Sequence, residues 1–381
     1  MFESMGFSYM GPVDGHDVEA LTQSLQWARE QRCPVLLHVR TVKGKGYSPA
    51  EERPADYHGV SPFDLVTGKP LRTAKMDFSH VFGQELTALA GEDGRVCAIT
   101  AAMQEGTGLT EFARKYPDRL FDVGIAEGHA VSMAGGMAKQ GLVPVFAVYS
   151  SFLQRGYDQL LQDVALDGLH VVLGVDRAGL VGADGETHHG CFDALYLSQV
   201  PHMTVLCPAS FAELRQMLRR AVLELTGPVA VRYPRGCEGA YQDCCGNETF
   251  TQVRPGADCT ILTYGVLINE ALAAAELLHE AGVETRVVKL NAIAPLDGNA
   301  VLAALGSEKR LLVLEDCVGS GCVGQRLTAI LAQRGRMPER LILKNLGDTI
   351  PCHGTVPQLY AQCGLDAASV AAALKEACHE Q

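Results

Sequence analysis

The chain has 381 residues, 47 % apolar and 20 % charged, with a formal net charge of −12; that length holds two or three domains with sizeable cores, and the composition excludes disorder. The acidic balance argues against nucleic acid as the main partner, because phosphate backbones call for a basic face, and no run of about 18 apolar residues marks a membrane span. The N-terminus lacks the basic start and apolar core of a signal peptide, and the 13 cysteines form no CxxC pair (Cys244/Cys245 and Cys317/Cys322 come closest), so reduced thiols in the cytoplasm are expected, not disulfides or a zinc site.

In chain order, the sequence opens with Gly11-Pro12-Val13-Asp14-Gly15-His16-Asp17. Asp17 reads as the N-cap of a helix over 18–32, striped by Leu21, Leu25 and Ala28. Pro34 precedes a strand over 35–39, and the Lys43-Gly44-Lys45-Gly46 run lacks the spacing of a phosphate loop. A polar connection follows, over 48–75. One helix and one strand do not make a parallel sheet. Residues 1–75 are therefore expected to be the C-terminal remnant of a further α/β domain plus a linker. Over 76–240 the pattern gives strands at 96–100, 121–123, 143–149, 170–175, 204–207 and 229–233, alternating with helices such as 78–90 and 211–225. Apolar strands alternating with helices predict a doubly wound parallel sheet with ligand loops at the strand ends. Residues 241–256 have weak periodicity and read as a linker. A second α/β unit, 257–381, carries strands at 259–263, 284–289, 310–314 and 340–343 and helices at 269–281, 323–333 and 367–379. It shows few polar residues poised for chemistry, so packing or dimerisation is its expected role.

Four places carry groups suited to chemistry. Within residues 120–140 a single acid, Glu127, precedes a helix of small residues, Ala130, Ala134, Gly135, Gly136 and Ala138, that lets a neighbour pack close. Glu127 is either a surface partner of the helix dipole or a buried acid exchanging a proton with a heteroaromatic ring. Phe152, after the next strand, is either core or a stacking surface for such a ring. A Gly-rich loop gathers Arg177, Asp184, His188 and His189, a density of acid/base and anion-binding groups that points to function; its His–Asp spacing matches no metal site. Arg235 follows a strand, where a guanidinium either grips phosphate with two hydrogen bonds or is simply solvated. His16, between two small turn residues and an N-cap, is either a loop histidine of no consequence or a functional one.

The motifs GPVDGHD (11–17), FDVGIAEGHAV (121–131), YSSFLQRGYDQ (149–159), DRAGLVGADGETHHG (176–190) and VRYPRG (231–236) together resemble the 1-deoxy-D-xylulose-5-phosphate synthase family, thiamine-diphosphate enzymes of the transketolase superfamily. The resemblance implies two doubly wound α/β domains, a pyrimidine-binding domain and a transketolase C-terminal domain, after the remnant of a third. It implies that Glu127 hydrogen-bonds the aminopyrimidine ring, that Phe152 stacks on that ring and that Arg155 lies in the cofactor pocket. Tyr149, Arg177 and Arg235 would anchor the phosphate of glyceraldehyde 3-phosphate. Asp184 and His188 would position substrate and move protons, with His16 at the mouth of the site. The implied reaction condenses pyruvate with glyceraldehyde 3-phosphate, releasing CO2 and opening an isoprenoid route. The family's Gly-Asp-Gly motif with a downstream Asn, which holds diphosphate and Mg2+, has no counterpart in the sequence. The metal ligands are thus expected in a preceding segment, none in this chain, and the chain alone is expected to bind cofactor poorly and to be inactive. Expected partners are a second copy in a homodimer or a separate N-terminal-half chain. The competing readings are the second subunit of a split transketolase, the beta chain of a 2-oxo-acid dehydrogenase, and a non-catalytic oligomerisation protein.

Overall fold

In the computed structural model, which describes residues 1–379 except 55, 61, 72–74, 245, 247, 307 and 308, the chain divides into two units, Met1–Lys75 and Met76–Gln381. In the first, strand β1 (Ser8–Asp14) pairs in parallel with β2 (Val35–Arg40). The helix Val18–Glu30 connects them, and the Asp17 side chain caps it by accepting from the Ala20 amide at 3.0 Å. The expectation of one strand here is corrected to two. β1 escapes the pattern because Gly11 and Pro12 sit inside it, and the pairing slips at that point, between Met10 and Val13; such residues ordinarily signal a turn.

The second unit contains two sheets. Its strands are β3 (Val96–Thr100), β4 (Leu120–Asp122), β5 (Val143–Tyr149), β6 (Val172–Asp176), β7 (Thr204–Leu206), β8 (Val229–Arg232), β9 (Phe250–Arg254), β10 (Cys259–Tyr264), β11 (Thr285–Leu290), β12 (Ala292–Ala294), β13 (Arg310–Leu314) and β14 (Arg340–Lys344). The first sheet runs β12-β7-β8-β6-β5-β3-β4, parallel except for β12, and the second runs β14-β13-β10-β11-β9, parallel except for β9. β3 and β6 are buried along their whole length, as parallel strands covered on both faces must be. Helices Phe78–Glu92 and Phe211–Leu223 cover one face, capped by Asp77 and Ser210. Cys245 lies outside the described residues, and the described cysteines are free thiols.

Two elements depart from the expected layout. Residues 241–256, read as a linker, include β9, an antiparallel edge strand on β11. Its half-buried FTQVR sequence has too little alternation to stand out. The three-residue β12 leaves the C-terminal half to pair with β7, at the edge of the first sheet. A strand so short is made by its tertiary neighbours rather than by its own propensity.

Candidate active site

The chain runs from β3 out to β4 and then returns to β5 on the other side of β3. Such a switch point opens a crevice at the carboxyl ends of the strands, where open α/β sheets bind ligands. The loops after β3 and β4 are tied by Asp122, whose Oδ1 accepts from the Ala102 amide at 2.8 Å and the Gly124 amide at 2.9 Å. Glu127 opens the helix Glu127–Lys139 directly after this tie. Its carboxylate sits where the helix dipole favours negative charge, yet it is 3 % exposed, so it is a buried acid rather than a surface dipole partner. Arg155 Nη1 donates to both its oxygens, at 3.1 and 3.3 Å, from a side chain that is 60 % exposed. The small residues of this helix meet the segment that follows β5. A Cβ on Gly135 would lie 2.5 Å from the Asp163 carbonyl oxygen, in a π-turn over Leu160–Ala165.

Tyr149 ends β5, and the short helix Ser150–Leu153 carries Phe152. The two rings stack with centroids 5.6 Å apart, and the His188 ring meets Phe152 edge-on at 5.1 Å. The Arg155 guanidinium lies 5.7 Å from the Phe152 centroid, and that of Arg177 lies 4.0 Å from the Tyr149 centroid, distances at which a cation is drawn to a ring face.

Arg177 follows β6 in a left-handed conformation, φ +59°. It is folded back onto its neighbour Asp176, with Nη1 3.0 Å from Oδ1, and also donates to Ser79 Oγ at 3.1 Å and to the Gly106 carbonyl. Asp176 is fully buried and accepts from Ser79 Oγ at 2.7 Å. Burial pushes its carboxyl up to about 6, although Arg177 and Ser79 pull the other way. Asp184 Oδ2 sits between two guanidinium groups, 3.0 Å from Arg235 Nε and 3.7 Å from Arg177 Nε. An incoming dianion would meet two cations already converged on one carboxylate.

Eight of the nine residues to which the resemblance gives a role thus form one connected cluster: Glu127, Arg155, Phe152, Tyr149, His188, Arg177, Asp184 and Arg235. His16 belongs to the first unit. Its amide donates to Asp14 Oδ1 at 2.9 Å, and its Nε2 accepts from the Val42 amide at 2.7 Å, beside a cavity of about 410 Å³ that Arg40 and Lys45 also line. The sequence reading missed Ser79, Gly106 and Asp176, which hold Arg177. Of these only Asp176 gave a signal, an acid next to an arginine at a strand end.

The C-terminal half, expected to pack rather than to carry chemistry, contributes a buried ion pair beside the site. Asp316 Oδ1 accepts from Arg232 Nη2 at 3.3 Å, and Arg232 Nε donates to Asp193 at 2.8 Å, all three buried. A Cβ on Gly179 would lie 1.9 Å from Asp316 Oδ2, so the base of the loop that carries Asp184 and His188 rests on this acid. Among the described residues no group of three or more His, Cys, Asp or Glu is placed to hold a metal ion, and no helix is long and apolar enough to cross a membrane.

Comparison with known proteins agrees with this layout. Residues 74–237 match the family described as the transketolase pyrimidine binding domain, and residues 249–370 the transketolase C-terminal domain. A split-gene transketolase, solved as an inactive beta4 tetramer, superposes with a TM-score of 0.70 at 23 % identity, over 80 % of this chain and 99 % of its own. The Pichia stipitis transketolase solved with sedoheptulose 7-phosphate gives 0.67 at 14 % identity, over 80 % of this chain and 46 % of its own. Fold and matches together define a protein of the transketolase type. Residues 1–41 match the 1-deoxy-D-xylulose-5-phosphate synthase family. The synthase of Pelotomaculum thermopropionicum is 43 % identical over 99 % of this chain, and that of Syntrophotalea carbinolica 44 % identical over all of it. The chain belongs to the 1-deoxy-D-xylulose-5-phosphate synthase family, and it spans about 60 % of the length of these relatives.

Proposed function

We propose that the chain forms the pyrimidine-binding and C-terminal parts of a thiamine-diphosphate-dependent synthase, one that condenses pyruvate with glyceraldehyde 3-phosphate to 1-deoxy-D-xylulose 5-phosphate and CO2. The observation that carries this reading is the buried Glu127 carboxylate, which shares one strand-end crevice with stacked aromatic rings and a pair of convergent arginines. This donor set fits the pyrimidine end of the cofactor: a carboxylate to accept from a ring N–H, and an aromatic face to pack on. When bound, the cofactor supplies the electron sink that lets a 2-oxo acid lose CO2. The Glu127 carboxylate would accept a hydrogen bond from the ring N–H, where exclusion of water strengthens the bond. Arg155, whose side chain is exposed, swings aside from Glu127, and the ring N–H takes its place as the donor to the buried carboxylate. Arg177 and Arg235 bind the aldehyde's phosphate in place of Asp184, and the released Asp184 together with His188 moves protons at the substrate. We assign the diphosphate and its Mg2+ to the part of the relatives' length that this chain does not span, supplied by a separate chain or a longer form, and we place His16 at the mouth of the assembled site. A homodimer is the expected assembly.

The test supplies the N-terminal part of a relative's synthase as a separate chain, with thiamine diphosphate, Mg2+, pyruvate and glyceraldehyde 3-phosphate. Equal amounts of CO2 and 1-deoxy-D-xylulose 5-phosphate are expected. Two-carbon transfer from ketose donors without CO2 would replace this reading by a split transketolase. Absence of both turnover and cofactor binding would leave a non-catalytic protein.

A further inference from the structure

The loop that carries Asp184 and His188 is closed at its base by two backbone hydrogen bonds between Gly179 and Gly190, at 2.9 and 2.8 Å. Between them the chain makes two 3₁₀ turns, Gly182–Asp184 and Glu186–His188. They meet at Gly185, whose φ of +83° suits glycine. Turns this short hold few hydrogen bonds of their own, so other contacts must fix where Asp184 and His188 point. One side chain spans the interior of the loop. His189 is 3 % exposed, and its Nδ1 accepts from the Val181 amide at 3.2 Å. That bond places the ring proton of the neutral imidazole on Nε2. Nε2 is itself buried without a hydrogen-bond partner, and the backbone of Cys352 and Pro351, beyond β14, acts electrostatically on the ring. The same C-terminal segment meets the loop at two further points. A Cβ on Gly182 would lie 3.3 Å from the Gly354 carbonyl oxygen and 3.2 Å from the Val356 nitrogen, and one on Gly185 would lie 3.5 Å from His353 Cδ2.

We propose that His189 is a positioning residue: through its bond to Val181 its neutral imidazole holds the loop bearing Asp184 and His188 in the form that packs, at Gly182 and Gly185, on segment 351–356, so that the C-terminal half helps set the geometry of the candidate site. The consequence for catalysis rests on the function proposed above; the tie itself does not. Because Nδ1 must accept, protonation sets two donors face to face at Val181. Burial lowers the ring's affinity for a proton, and the His188 charge acts the same way, while Glu186 and the nearby Cys352 and Pro351 backbone oppose it. The other titratable group on the facing segment is His353, beside the Cys352 thiol. The tie is therefore intact above the ring's lowered pKa and is lost as pH falls through it.

Amide hydrogen exchange on the full chain tests this, read at residues 180–188 against β6 as an internal standard. In His189→Leu, protection of Val181 and the loop is expected to fall about tenfold or more while β6 is unchanged. His189→Gln, whose amide both accepts and donates, restores most of it. In the wild type, loop protection corrected for intrinsic exchange drops as pH falls through the imidazole titration, and His189→Gln lacks that step. Equal loop protection in the three proteins overturns the proposal. Should His189→Leu not fold, the imidazole 15N spectrum of the wild type decides: a bare Nδ1 with a protonated Nε2 is expected, and the opposite tautomer overturns the tie. Inorganic phosphate binding, measured in parallel, separates the two readings. A tied loop with no phosphate affinity counts against the proposed function and leaves the tie standing.

Discussion

Arg177, the anion anchor of the proposed function, is held by Asp176, and that hold has a pH signature. The Asp176 carboxyl is fully buried and raised from its ordinary range to about 6 by that burial. A raised carboxyl favours the folded state while protonated, so its contribution is fully present below about pH 4, is lost as pH rises through about 6, and is flat above that. Asp176→Asn removes the step. Relative to the variant, the wild type is expected to lose about 3 kcal/mol of unfolding free energy between pH 4 and pH 7, measurable by denaturant unfolding at a series of pH values. Identical pH profiles would show that Asp176 does not titrate in that range. The residues at this scale that the sequence revealed, Glu127, Arg177 and Asp184, are charged groups at strand ends, which pattern can locate. Ser79 and Gly106 are invisible to it because their contribution is a hydroxyl and a backbone carbonyl brought in from distant loops.

At the scale of elements, the helix Glu127–Lys139 shows what its small residues are for. Gly135 and Gly136 are adjacent and identical, yet their surroundings differ: a Cβ on Gly135 meets the Asp163 carbonyl oxygen at 2.5 Å, and one on Gly136 meets nothing within 4 Å. Gly135→Ala must push the π-turn away and is expected to cost about 1–3 kcal/mol. Gly136→Ala is expected to add about 0.5–1 kcal/mol by restoring helix propensity. Thermal unfolding of both variants checks the pair, and equal effects would contradict the packing. Close packing was legible from composition; its partner was not, because the π-turn over Leu160–Ala165 is an irregularity that no periodicity announces. β9 and β12 were lost for related reasons, one a half-buried edge and the other three residues recruited by a neighbouring sheet.

At the scale of the molecule, the two halves of the larger unit are joined by β12 and by the buried set Arg232, Asp193 and Asp316. Removing one partner from such a set leaves a buried charge uncompensated. Asp316→Ala is expected to cost about 3–5 kcal/mol and to loosen the loop resting on it, readable as a lowered Tm together with faster exchange at residues 177–190. The order of strands and helices was legible because each strand is a short apolar run between helices. The join was not, since the three charged residues come from separate elements and only the fold puts them in contact. In the proposed function Glu127 is the buried acid on which the chemistry turns. The most direct test of that role is Glu127→Gln in the assembly completed by an N-terminal half, with turnover of pyruvate and glyceraldehyde 3-phosphate followed alongside thermal unfolding. The predicted result is a loss of about 10²–10⁴ in turnover with an unchanged unfolding profile; turnover equal to that of the wild type would contradict the account.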